Sequence, residues 1–85
     1  MKLYFEMGNE VVVVEIRGRK IYFSNISMGF RKFIPLEPYI EKIYGESKLK
    51  EYENFIKQNV SEQDMKDYVV REFATQGFKL KREVI

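Results

Sequence analysis

The chain has 85 residues, of which 45% are hydrophobic and 33% charged, and a formal net charge of +2. This length and balance predict one small globular domain, residues 1–85, with a single core. The absence of cysteine and histidine excludes disulfides, thiolate metal sites and imidazole-based catalysis. We therefore expect a fold held by packing alone, with no metal and no organic cofactor.

Apolar runs and compartment signals favour a cytoplasmic protein. The longest uninterrupted apolar run, residues 11–14, is far shorter than the roughly 20 residues that span a bilayer. No signal-peptide pattern opens the sequence. A fold without disulfides is typical of reducing compartments. We expect no membrane association.

Residues 2–25 have the pattern of three antiparallel strands. The segments 2–7, 10–17 and 20–25 alternate or are rich in β-branched side chains, and Gly8-Asn9 and Gly18-Arg19 are typical two-residue hairpin turns. Both turns independently place the same alternate residues on one face of the meander. This inward face consists of Leu3, Phe5, Val12, Val14, Ile16, Ile21 and Phe23.

From Pro35 onward the apolar spacing changes from two residues to about 3.6, which predicts helices. We expect the first to end at Gly45, the second to be capped by Ser47, and the third to begin with a capping box of Ser61 and Asp64. The three apolar stripes are Leu36, Ile40, Ile43 and Tyr44; Leu49, Tyr52, Phe55 and Ile56; and Met65, Tyr68, Val69 and Phe73.

Residues 78–85 return to alternation, with Phe78, Leu80 and Val84 expected on one side and Lys79, Lys81 and Glu83 on the other. The predicted order is therefore βββαααβ. This is a small two-layer α+β domain, in which a three-stranded antiparallel meander and a C-terminal strand carry the helices on one sheet face.

The sequence offers only carboxylates, lysines and tyrosines for acid–base catalysis. The acidic clusters, Glu37 with Glu41 and Glu62 with Asp64 and Asp67, have helical spacings that point them into solvent. No phosphate-cradling glycine loop, nucleophile elbow or calcium loop is present. We therefore predict no catalytic residues, no metal site and no small-molecule substrate: the protein is not expected to be an enzyme.

The outward face of the meander is the first candidate binding surface. Its central positions hold Tyr4, Val11, Val13 and Tyr22, which is too apolar for a fully solvated sheet face. Residues 1–34 carry a net charge of +3, residues 35–77 of −3 and residues 78–85 of +2, so the strands are basic and the helices acidic. Either a helix of the chain covers this outward face, or another molecule does.

The second candidate is the segment 27–33, expected to be a loop, where Arg31 and Lys32 lie between two phenylalanines before a helix start. Backbone amides and these cations favour a phosphate or a partner carboxylate. Alternatively, Phe30 and Phe33 anchor the crossover to the core while the cations remain solvated.

The sequence favours a small non-catalytic interaction module that binds a protein partner, or a second copy as a homodimer, through the open sheet face. The alternative is a single-stranded nucleic-acid-binding domain in which bases stack on tyrosines ringed by cations. The salt dependence of binding distinguishes these hypotheses, because phosphate contacts weaken steeply as the salt concentration rises. The predicted binding residues are Tyr4, Val11, Val13, Tyr22, Lys20, Arg17, Arg31 and Lys32.

Overall fold

The structure, a computed structural model, describes residues 1–25, 27 and 30–85, with the side chains of Phe30 and Arg31 excepted. One antiparallel sheet has the strand order β4-β3-β2-β1-β5. The α+β class, the meander and the helical layer are confirmed. The elements are β1 (Lys2–Met7), β2 (Glu10–Arg17), β3 (Lys20–Asn25), β4 (Phe30–Pro35), α1 (Leu36–Tyr44), α2 (Glu46–Lys57), α3 (Glu62–Thr75) and β5 (Lys79–Val84).

The meander of β1, β2 and β3 has the register that its two turns predict. Val14 lies opposite both Leu3 and Phe23. Gly8 and Gly18 both have a φ of 59°, the left-handed conformation that these tight turns require and that glycine adopts without a steric penalty. The seven predicted inward side chains are each at most 2% exposed, so this face forms the sheet's half of the core.

The helices supply the other half of the core. α3 packs on β2 and β5, and α1 packs on β3. The Phe73 ring of α3 stacks on Phe5 of β1 with ring centroids 5.0 Å apart. The predicted stripe of α3 is buried in full. In α1, by contrast, Ile43 and Tyr44 are 47% and 36% exposed, so its last turn adds little to the core.

β4 is a strand that the sequence pattern had indicated as a loop, and the prediction is wrong there. It pairs with β3, with Ile34 opposite Phe23 and Pro35 opposite Tyr22. An edge strand tolerates adjacent cations and a terminal proline because only one of its sides is hydrogen-bonded, and these residues hide the strand from pattern analysis. Phe33 lies on the opposite face from Ile34 and does not anchor the crossover to the core.

β5 lies beside β1, and its regular alternation is interrupted by a β-bulge. Phe5 pairs with Leu80, whereas Tyr4 pairs with Arg82, which leaves Lys81 as the extra residue. The bulge reverses the facing of every residue after it. Arg82 therefore lies beside Tyr4 on the outward face of the sheet.

The same bulge makes the predicted facing of Glu83 and Val84 wrong. Glu83 lies opposite Leu3 and faces the helical layer, where its Oε2 accepts a hydrogen bond of 2.6 Å from Lys66 Nζ. Val84 lies opposite Lys2 on the outward face. The Lys66–Glu83 ion pair ties α3 to β5.

The capping box of α3 is confirmed. Ser61 Oγ accepts a 3.1 Å hydrogen bond from the Asp64 amide, and Asp64 Oδ2 accepts one of 3.1 Å from the Ser61 amide. Ser47 does not cap α2, because that helix begins at Glu46 and Gly45 occupies the capping position.

We expect Ser61→Ala to lower the free energy of unfolding by about 0.5–2 kcal/mol, because it leaves an α3 amide without its acceptor. Ser47→Ala is the matched control: this exposed position lies inside α2, where alanine is the better helix former, so the stability should stay unchanged or rise slightly. Urea denaturation measures both. Equal midpoint shifts for the two variants would contradict the cap.

Two buried tyrosines should make the fold sensitive to alkali. Burial raises the pKa of Tyr68 to about 12, and burial together with the neighbouring Glu37 carboxylate raises the pKa of Tyr52. The unfolded chain ionises its tyrosines near pH 10, so the folded state keeps protons that the unfolded state loses. The stabilisation is complete below about pH 10 and is lost as the pH rises through about 12.

Urea midpoints measured from about pH 8 to 11.5 should therefore fall above about pH 10. Tyr68→Phe removes one of the two buried hydroxyl groups, so the urea midpoint of this variant should fall less steeply with pH. This comparison separates tyrosine ionisation from lysine deprotonation. A midpoint that is constant over this range contradicts the prediction.

Candidate functional site

The outward side chains of β1, β2, β3 and β5 form the surface that we call the open face. The helices pack against the opposite, inward side chains. For the described residues, the alternative in which a helix covers this face is therefore wrong. The open face consists of Lys2, Tyr4 and Glu6; Val11, Val13, Glu15 and Arg17; Lys20, Tyr22 and Ser24; and Lys79, Arg82 and Val84.

Strand pairing arranges the open face in rows. Tyr4 lies opposite Val13 on one side and Arg82 on the other, and Arg17 lies opposite Lys20 beside the β2–β3 turn. Tyr22 is one row along and two strands away from Tyr4, a separation of about 12 Å between the two backbone positions. The predicted residues of β1, β2 and β3 thus share one surface.

Two arginines of the open face lie over tyrosine rings. The Arg82 guanidinium carbon is 4.3 Å from the Tyr4 ring centroid, and that of Arg17 is 4.4 Å from the Tyr22 ring centroid. Both distances lie well inside the range of about 6 Å over which a cation is attracted to a ring. Each tyrosine therefore holds a planar cation in a defined place on the sheet.

A third cation, Lys2, reaches across the centre of the open face. Its Nζ lies 5.5 Å from the centroid of the Phe33 ring, although β1 and β4 are three strands apart. The two side chains extend toward each other above β2 and β3, and in the same region Val13 is half-buried and Ser24 is 6% exposed. The apolar centre is thus partly closed by the chain's own side chains.

Positive charge dominates the open face. Its five cations, on Lys2, Arg17, Lys20, Lys79 and Arg82, face two carboxylates. Both carboxylates adjoin cations: Glu15 Oε1 is 3.0 Å from Arg17 Nε, and Glu6 lies opposite Lys79. The helices carry nine acidic and six basic residues. The domain is therefore polarised, with a basic sheet face opposite an acidic helical layer.

The remaining predicted residues are less well placed. Val11 is 37% exposed in the row of Glu6, and Lys32 is exposed on β4. The Arg31 side chain and residues 26, 28 and 29 lie outside the described part of the chain, so the phosphate site predicted at residues 27–33 stays a prediction.

Sequence reasoning missed one residue of the open face, Arg82, and the position of Phe33 on β4 beside that face. Arg82 was missed because the bulge at Lys81 reverses its facing, and Phe33 was missed because β4 was not predicted. Local periodicity carries no signal for either feature, since both depend on pairing with a distant strand.

Some of the acidic side chains on the helices have structural partners. Asp64 closes the capping box, and Asp67 Oδ1 accepts a 2.9 Å hydrogen bond from Gln63 Nε2. Among the described residues, no group of three or more acidic side chains is arranged to hold a metal ion. No helix in the described ranges has the length and apolar character needed to cross a membrane.

A cleft of about 340 Å³ lies between the start of β3 and α2. Tyr22, Tyr52 and Ile56 line it together with charges of both signs. Within the described part of the chain, every buried side-chain nitrogen or oxygen has a hydrogen-bond partner, so no unsatisfied group marks a ligand position in this cleft.

One wall of the cleft is formed by a structural contact. Arg19 Nη2 donates to the backbone carbonyls of Ile56, Lys57 and Gln58 at 2.9, 3.2 and 2.6 Å. These carbonyls belong to the C-terminal end of α2, where a positive charge is favoured by the helix dipole. Arg19 thus caps α2 from the β2–β3 turn.

No protein-family model, no curated protein and no solved structure matches this chain.

Arg19→Ala should lower the free energy of unfolding by about 0.5–1.5 kcal/mol, because α2 loses its C-terminal cap. Lys50→Ala is the control on the same helix: it removes an exposed cation whose pair with Glu46 spans 3.5 Å, and should change stability by less than about 0.5 kcal/mol. Thermal or urea denaturation measures the stability of both variants. Equal stabilities for Arg19→Ala and Lys50→Ala would show that Arg19 does not stabilise α2.

Proposed function

We propose that this chain is a non-catalytic binding module that contacts another macromolecule through the open face. The observation that supports this most strongly is the segregation of the two sheet faces. One face is filled by the helices, and the other presents aromatic rings and five cations against two carboxylates. A partly desolvated centre with a charged rim is the composition expected of a binding surface.

The positive charge of the open face favours some classes of partner over others. A homodimer formed by two open faces would bring two sets of five cations together, and like charges in an interface oppose association. An acidic surface gains attraction from the same cations and is steered toward them. We therefore favour a partner that is acidic, a description that fits both acidic proteins and nucleic acids, over a second copy of the chain.

Val13→Glu tests the proposal at the centre of the open face. A carboxylate at this position should weaken the binding of an acidic probe by at least about tenfold, because it places like charges in the interface. The probes are poly-L-glutamate and a labelled single-stranded DNA, followed by fluorescence anisotropy. Ile43→Glu makes the same kind of change at a 47% exposed position on α1 and should leave binding unchanged.

Folding of each variant is checked by circular dichroism. Val14→Glu buries a charge at a fully inward position and should unfold the domain, whereas Val13→Glu should not. Lys20→Glu, at an exposed position of the open face, repeats the binding test without any burial. If the Val13 and Lys20 variants bind as tightly as Ile43→Glu, the open face is not the binding surface.

A further inference from the structure

We infer that the acidic partner of the open face is single-stranded nucleic acid, bound along a diagonal track that has two tyrosines at its middle and two cations at each end. The inference rests on the proposed function, because it names the occupant of the same face. The track begins beside the β2–β3 turn and ends on β5. In order along the diagonal, its residues are Lys20 and Arg17, Tyr22, Tyr4, Arg82 and Lys79.

The dimensions of the track suit a short extended strand. Strand spacing and residue rise place its two ends about 25 Å apart, with the two arginine–tyrosine pairs about 12 Å apart within it. Glu15 and Val13 of β2 lie between these pairs, in the rows of Tyr22 and Tyr4, and the Glu15 carboxylate is already paired with Arg17. Lys2 lies on the other side of Glu15, next to Tyr4 on β1. A nucleic-acid strand that follows the diagonal therefore meets a cation or an aromatic ring at each row of the sheet.

The arginine–tyrosine pairs provide the chemistry that distinguishes a nucleic acid from an acidic protein. Bases stack on aromatic rings and on guanidinium planes, whereas a carboxylate needs only the positive charge. Tyr4 and Tyr22 hold Arg82 and Arg17 in place at 4.3 and 4.4 Å. Because the guanidinium groups are already positioned, less conformational entropy is lost when they bind a base or a phosphate.

The shape of the open face favours a single strand over a duplex. The major groove of a duplex admits a narrow element, such as a helix or a two-stranded ribbon, for base readout. The described part of the chain presents the surface of a five-stranded sheet on this side, with its helices on the other. An unstacked single strand of nucleic acid can lie flat on such a surface with its bases toward the arginine–tyrosine pairs. The acidic helical layer repels phosphates and so confines the strand to the sheet.

The first experiment compares four probes by fluorescence anisotropy: single-stranded DNA and RNA of about 15 nucleotides, the matching DNA duplex, and poly-L-glutamate. We expect the single strands to bind most tightly, and their affinity to fall roughly 100-fold between about 50 and 200 mM salt if five cations meet phosphates. No binding of either strand at low salt up to about 100 µM protein would overturn the inference.

The second experiment separates stacking from charge. Arg17→Lys and Arg82→Lys keep the positive charge but lose the planar guanidinium, so each should weaken single-strand binding by at least about fivefold with little change in salt dependence. Arg71→Lys is the matched control, because Arg71 lies over the Tyr68 ring at 5.8 Å but on the helical layer. Wild-type affinity in both open-face variants would overturn the inference.

The outcomes also distinguish the inference from the proposed function. If poly-L-glutamate or the duplex binds as tightly as the single strands, and Val13→Glu weakens that binding, the open face binds an acidic partner without base stacking and only the inference fails. If Val13→Glu and Lys20→Glu leave the binding of every probe unchanged, the surface itself is wrong and both fail.

Discussion

The packing of three helices onto one face of the β1–β3 meander determines where the other residues of this domain can act. Phe73 of α3 stacks on Phe5 of β1, and the seven inward side chains of the meander are almost fully buried around this contact. Alternate residues of a strand point to opposite faces, so the outward residues of the same strands cannot join this core. The interactions that fold the protein therefore also create its open face.

Much of the fold could be predicted because its determinants are local. Two tight turns and a period of two define the meander, and the capping box at Ser61 marks the start of α3. The features that could not be predicted depend on contacts distant in sequence. β4 is an edge strand without clear alternation, the bulge at Lys81 becomes visible only when β5 pairs with β1, and Arg19 caps a helix end 37 to 39 residues away.

The candidate site likewise has a part that the sequence predicts and a part that depends on contacts distant in sequence. The positions of Tyr4, Val13 and Tyr22 on one face follow from the register of the meander, which the sequence predicts. The cations that lie over the rings do not all follow from it, because Arg82 reaches Tyr4 only through the bulged pairing of β5. The sequence therefore indicated an apolar patch with nearby charge, whereas the structure has arginines seated on tyrosines and a centre partly closed by Lys2.

The most direct test of the central claim is chemical-shift mapping by nuclear magnetic resonance, in which the isotopically labelled protein is titrated with a single-stranded oligonucleotide. We predict that signals of Tyr4, Arg17, Tyr22 and Arg82 shift together and saturate at one concentration, while those of Arg71 on α3 stay unchanged. Shifts concentrated on the helices, with the open face unperturbed, would contradict the assignment of this face as the binding surface.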